Sequence, residues 1–88
     1  MNEVAQRFTE NLVAARKKAG LSQEELSFCA ALHRTHIGLL ERGARVPRID
    51  TLVKLAAALD VRPEDLLDGI RWYPGDFSPG GFEERRDG

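Results

Sequence analysis

The sequence predicts an all-α fold, a compact five-helix bundle. Three observations predict it. Apolar residues recur three and four apart along residues 4–68, and no stretch alternates as a strand would. Helix start and stop signals fall between these runs, at Gly20, Ser22, Gly43 and Pro63. The chain has 88 residues, which suits one domain with a modest core.

The first helix is expected from about Val4 to Ala19, with Phe8, Leu12, Ala15 and Ala19 facing inward. Lys17 and Lys18 sit in its last turn, where cations favour the helix dipole, and Gly20 is the left-handed stop. Ser22 caps the second helix, and Glu25 three residues on completes a capping box. Leu21 can staple to Leu26. This helix turns Leu26 and Ala30 inward and ends near Ala31. Cys29 lies in an apolar run and reads as a small core residue. Being alone, it allows neither an intrachain disulfide nor a cysteine zinc site.

The third helix spans about Arg34 to Arg42, with Ile37 and Leu40 apolar, and stops at Gly43. A loop to Pro47 leads to the fourth, Ile49 to Leu59, whose apolar face is Ile49, Leu52, Leu55, Ala56 and Leu59. Pro63 opens a short fifth helix, followed by Glu64 and Asp65. Leu66 and Leu67 close the core.

Beyond Gly69 the chain is rich in Gly and Pro, and no strand is expected. Trp72, Tyr73, Phe77 and Phe82 are nevertheless four of its six aromatics. A flexible linker has no need of them. Residues 1–70 therefore read as the domain, and residues 71–88 as a tail that docks on the domain or on a second subunit.

Thirteen basic and fourteen acidic residues give a net charge of −1, which argues mildly against a nucleic-acid partner. The distribution argues the other way. Arg16, Lys17 and Lys18 form one cluster. Arg34, Arg42, Arg45 and Arg48 form another, offset only by Glu41. No apolar run approaches the ~20 residues of a membrane span, and no signal-peptide pattern opens the chain, so a cytoplasmic location is expected.

Residues 22–43, SQEELSFCAALHRTHIGLLERG, carry the functional signal. They read as a short helix, a tight turn and a second helix with a polar start, an arrangement that brings side chains into the DNA major groove. The matching residues are Arg16 and Gly20, LSQEELS at 21–27, HRTHIGLLERGARVP at 33–47, TLVKLAAALDV at 51–61 and EDLL at 64–67. On these, residues 4–68 resemble the phage repressor and Cro type of helix-turn-helix domain, the lambda-repressor-like or xenobiotic-response-element family. The resemblance implies a five-helix bundle that binds double-stranded operator DNA, usually as a two-fold homodimer.

Residues at the start of such a helix meet base edges. Arg34 is the candidate for guanine, because its planar fork can bridge O6 and N7. Thr35 can bond a base or touch a thymine methyl, and His36 can reach a base or a phosphate. Leu39 either meets a methyl group or packs. Gln23, His33, Arg42, Arg45 and Arg48 are candidate phosphate contacts, with Lys17 a weaker one. The resemblance implies that Arg16 and Glu41 form an ion pair inside the fold. The dimer contact is expected around the fifth helix, from Val61, Leu66, Ile70 and Trp72, unless these face the protomer core.

Three residues depart from the family pattern, one of them Leu39, which stands where many members carry a polar base-contacting residue. Ala31 stands where glycine is usual, and a positive φ there would cost about 1 kcal/mol. Arg62 replaces the usual Ser or Thr cap of the fifth helix. His33 and His36 lack a third ligand, so no metal is expected, and no cofactor or small-molecule ligand is implied. Paired carboxylates, a nucleophile–base set and a phosphate-binding glycine loop are all missing, so no enzyme is expected. The sequence points to a small transcription regulator, with the antitoxin of a toxin–antitoxin pair as the alternative.

Overall fold

A computed structural model describes residues 3–76 and 79–82. Five helices follow in order: α1 Glu3–Lys18, α2 Gln23–Cys29, α3 Arg34–Glu41, α4 Ile49–Leu59 and α5 Pro63–Leu66. Two short strands, β1 Trp72–Tyr73 and β2 Gly81–Phe82, close the described chain. They pair antiparallel, with Trp72 opposite Phe82 and Tyr73 opposite Gly81. The expectation of no strand is thereby corrected. Each strand has only two residues, too few for an alternating pattern to show in the sequence. Phe77, one of the four tail aromatics, lies outside the described residues.

The core is one cluster. Phe8, Leu12, Leu26, Ile37, Leu40, Leu55 and Leu66 are its largest fully buried side chains. α1 packs on α3 and α5, α2 on α3 and α4, and α4 on α5. The apolar stripe of each helix is thus covered by at least one other, which supplies most of the stability of helices this short.

Helix ends explain why the elements stop where they do. Ser22 accepts the Glu25 N–H at 3.0 Å, and the Glu25 carboxylate accepts the Ser22 N–H at 2.9 Å, the reciprocal box read from the sequence. The backbone N–H of Ser22, and then its hydroxyl, hold the Glu25 carboxyl below the usual range. α5 has half of such a box. Asp65 accepts the Arg62 N–H at 2.8 Å, whereas the half that a Ser or Thr side chain would supply is not made, because Arg62 makes no side-chain cap hydrogen bond.

α1 to α4 all end in one motif: the residue after a left-handed position bonds back five residues, and the left-handed residue itself bonds back three. The bonds are Leu21 to Arg16, Leu32 to Ser27, Ala44 to Leu39 and Val61 to Ala56, each N–H to carbonyl, with the inner bonds beside them. This is the Schellman arrangement, which satisfies otherwise orphaned carbonyls. Gly20 and Gly43 fill the left-handed position twice, at φ 72° and 70°. Ala31 and Asp60 fill it at φ 54° and 55°. Asp tolerates this region better than most residues, and Ala has no side-chain compensation.

Several expected inward residues face out. Cys29 is exposed, so its reading as a core residue is corrected. In a seven-residue helix, Leu26 and Ala30 take the buried side, and Cys29 turns outward beside Phe28, which is 88% exposed. Ala19 lies beyond the last residue of α1 and is exposed. Ile49, at the first turn of α4, is 81% exposed because no helix covers that end. Leu67 is partly exposed, leaving Leu66 to close the core. Among the described residues, no helix is long and apolar enough to cross a membrane.

Candidate nucleic-acid interface

α3 presents a divided surface. Ile37 and Leu40 are fully buried beneath it. Arg34 and Thr35 in its first turn are exposed, and His36 and Leu39 are half-buried along its flank. Its opening turn therefore stands out of the globule while its lower face is locked into the core. No acidic residue occupies that turn.

The turn before α3 is tight. α2 closes on Ala31, Leu32 anchors back to the core, and His33 becomes the α3 cap. His33 Nδ1 accepts the Thr35 N–H at 3.1 Å. With Nδ1 as acceptor, the neutral ring carries its proton on Nε2, a donor suited to a phosphate oxygen. His33 thus positions the start of α3 as well as standing beside it, a role the sequence reading did not give it.

Beneath α3 lies a charged tie. Arg16 Nε donates to Glu41 Oε2 at 2.6 Å, and Arg16 Nη2 donates to Glu41 Oε1 at 2.9 Å. Arg16 Nη1 also donates to the Leu21 carbonyl at 2.9 Å. The two side chains are only 14% and 6% exposed. Burial pushes the Glu41 carboxyl up. The hydrogen bonds from Arg16 and Gln23, with the charges of Arg16 and Lys17, outweigh it and hold the carboxyl below its ordinary range. The bond to Glu41 raises the Arg16 guanidinium despite the opposing effect of its own burial, and the Glu41 charge adds to the rise.

Gln23, expected at a phosphate, donates through Nε2 to Glu41 Oε1 at 3.1 Å, which holds its amide in place and leaves the second Nε2–H as a further donor. A short amide beside a carboxylate already fixed by Arg16 finds a nearer partner within the fold.

The remaining basic candidates are surface residues. Lys17, Arg42, Arg45 and Arg48 are all exposed. Arg34, Arg42 and Arg45 make no ion pair among the described residues, whereas Arg48 Nε lies 3.5 Å from Asp50 Oδ1, with both side chains largely exposed. Such a pair is weak and readily exchanged for another anion.

Of the residues expected at a subunit contact, Leu66 is 1% exposed and belongs to the protomer core, which corrects that expectation. The packing of α4 and α1 on α5 covers it. Val61 and Ile70 are half-buried against the same core, and Trp72 is 54% exposed.

Three supporting contacts left no readable signal in the sequence. Thr9 Oγ1 donates to the Leu40 carbonyl, fixing the end of α3 to α1. Asn11 Nδ2 donates to the Leu66 carbonyl at 3.0 Å and the Asp68 carbonyl at 2.9 Å, holding the exit of α5. Gly69, at φ 79°, lies against the Arg7 side chain, where a Cβ would collide. Polar residues on a helix flank look alike in sequence whether they face water or a neighbour's carbonyl.

Comparison with known proteins agrees with this geometry. The helix-turn-helix family profile matches residues 12–66. Control protein C.BamHI of Bacillus amyloliquefaciens is 49% identical over 51 residues, covering 58% of this chain and 63% of C.BamHI. The match thus spans less than two thirds of that relative's length. Control protein C.SmaI of Serratia marcescens is 38% identical over 65 residues, covering 74% of this chain and 77% of its own. The crystal structure of the restriction-modification controller protein C.AhdI from Aeromonas hydrophila superposes with a TM-score of 0.66 at 42% identity, over 68% of this chain and 91% of that one.

Proposed function

Since this chain belongs to the helix-turn-helix family, we propose that it is a sequence-specific DNA-binding transcriptional regulator acting as a homodimer on a near-palindromic operator. One observation carries the reading: the polar first turn of α3 protrudes, free of acidic residues, on a base of Ile37 and Leu40. A helix so held enters the major groove without rearranging the core.

In this reading residues 1–70 form the DNA-binding domain. Arg34 reads guanine, and Thr35 and His36 touch neighbouring bases or phosphate. Leu39, half-buried, offers its outer edge to a thymine methyl. His33 Nε2, Lys17, Arg42, Arg45 and Arg48 hold the backbone. Two copies of α3 sit about 34 Å apart, one turn of DNA. Val61, Ile70 and Trp72 lie at the subunit contact. The family and the named relatives support a regulator over an enzyme or an antitoxin, and the name of C.AhdI, a restriction-modification controller protein, favours control of a restriction–modification system.

Selection of bound sites from random duplexes tests this. The expected product is a two-fold symmetric motif with half-sites about one turn apart. Recovery of no motif, at low salt and with folded protein, overturns the reading.

A further inference from the structure

A cavity of about 170 Å³ lies between the opening turns of α1 and the β1–β2 ribbon. Glu3 and Arg7 form its α1 side. Gly69, Ile70 and Arg71 line it where the chain leaves α5, and Phe82 of β2 borders it. All six stand outside residues 12–66, the span that the family profile matches. The cavity is thus built by segments flanking that region, and one protomer supplies every wall.

The wall is chemically divided. Arg7 is half-buried, and its guanidinium lies against Gly69, with Nη1 inside the space that a Cβ would need. Glycine at 69 is therefore what leaves room for the charge. Among the described residues Arg7 makes no ion pair or hydrogen bond, and no buried side-chain nitrogen is without a partner, so its donors stand open. Arg71 brings a second positive charge, 5.7 Å over the Tyr73 ring. Glu3 is the one carboxylate on this wall, and it pairs with neither arginine. Ile70 and Phe82 form the apolar part. Ile70 packs on the core, and Phe82 is held by Trp72 in an edge-to-face contact, with ring centroids 5.1 Å apart.

We propose that this cavity binds a small organic carboxylate with a flat apolar body, a molecule of about the size of benzoate. The Arg7 guanidinium donates two parallel hydrogen bonds to the carboxylate, the geometry its planar fork favours. The body lies on Ile70 and Phe82. A cavity of roughly 150 Å³ accepts benzene, so this one holds a single ring. An inorganic anion would use the arginines and leave the apolar wall wet. A neutral hydrocarbon would cover Arg7 and leave its donors without an acceptor. Only a ligand with both parts satisfies both. None of the lining residues belongs to α2 or α3, so the inference stands independently of DNA binding.

Sodium benzoate is the probe, titrated into the full chain and followed by amide chemical shifts. The expected result is saturable binding with a Kd of about 1 mM or tighter. Its largest shifts fall at Gly69, Ile70 and Phe82. Acetate, which lacks the ring, and benzyl alcohol, which lacks the charge, bind at least about tenfold more weakly. Arg7→Met keeps an apolar stem on α1 and weakens benzoate at least about tenfold, whereas Arg45→Met leaves it unchanged. No saturation up to about 20 mM benzoate overturns the proposal. So do shifts centred on the α3 arginines, benzyl alcohol binding as tightly as benzoate, or an unaltered Kd in Arg7→Met. The shift map and the two analogues use the parent chain, so the outcome does not hang on the folding of a variant.

Discussion

Arg16 and Glu41 form a two-pronged ion pair beneath the candidate recognition helix, joining the end of α1 to the end of α3. The same guanidinium reaches the Leu21 carbonyl at the entry to α2. One side chain therefore fixes three elements whose relative placement aims α3. Because Glu41 is nearly buried, removing its partner leaves a charge without compensation. Arg16→Ala is expected to cost about 3 kcal/mol in equilibrium denaturant unfolding. A midpoint equal to that of the parent would show the pair to be energetically idle.

Glu41 also gives the fold a pH dependence. Its folded-state carboxyl lies below the ordinary range, so the unfolded chain binds the proton more readily. Its contribution is present above the unfolded value of about 4.3 and disappears as pH falls through the folded value. Glu25 shifts in the same direction and adds to the effect. Stability measured from pH 7 downward should fall below about pH 4.5, and Glu41→Gln should flatten the fall. An equally steep acid limb in that variant assigns the dependence elsewhere.

Ala31 holds a left-handed backbone at φ 54° in the turn that launches α3. Ala31→Gly relieves that strain but also frees the unfolded chain. The net expectation is a gain of about 0.5–1 kcal/mol, read as a higher melting temperature. A loss of stability would mean that the Ala methyl makes a contact worth more than the strain.

DNA recognition separates the arginines by role. Arg34→Ala should relax selection at one base pair in each half-site and cost about 1–3 kcal/mol on the preferred operator. Arg45→Ala should weaken all duplexes alike and lower the salt slope by about one. Quantitative binding to a single-substitution operator series, at two or more salt concentrations, distinguishes these patterns. Uniform weakening by Arg34→Ala would remove it from base readout.

Ser22→Ala breaks one half of the capping box at the start of α2. The loss is about 1 kcal/mol, and it also lifts the Glu25 carboxyl toward its ordinary value. Thermal unfolding checks the first effect, and carboxyl titration by NMR the second.

By itself, the sequence determined the five helices and most of their ends. Periodic apolar residues, the Ser22 box, Pro63 and the glycines at 20 and 43 are local signals, acting within one or two turns. They also located the polar start of α3, while the pairing of Arg16 with Glu41 came from family resemblance. Tertiary structure decided what covers each face. It turned Cys29 outward and Leu66 inward, drew Gln23 onto Glu41, set Thr9 and Asn11 on carbonyls of α3 and α5, and joined Trp72 to Phe82 across the ribbon. Local spacing fixes which side chains share a face. Only packing of distant segments fixes whether that face meets water, a carbonyl or another ring.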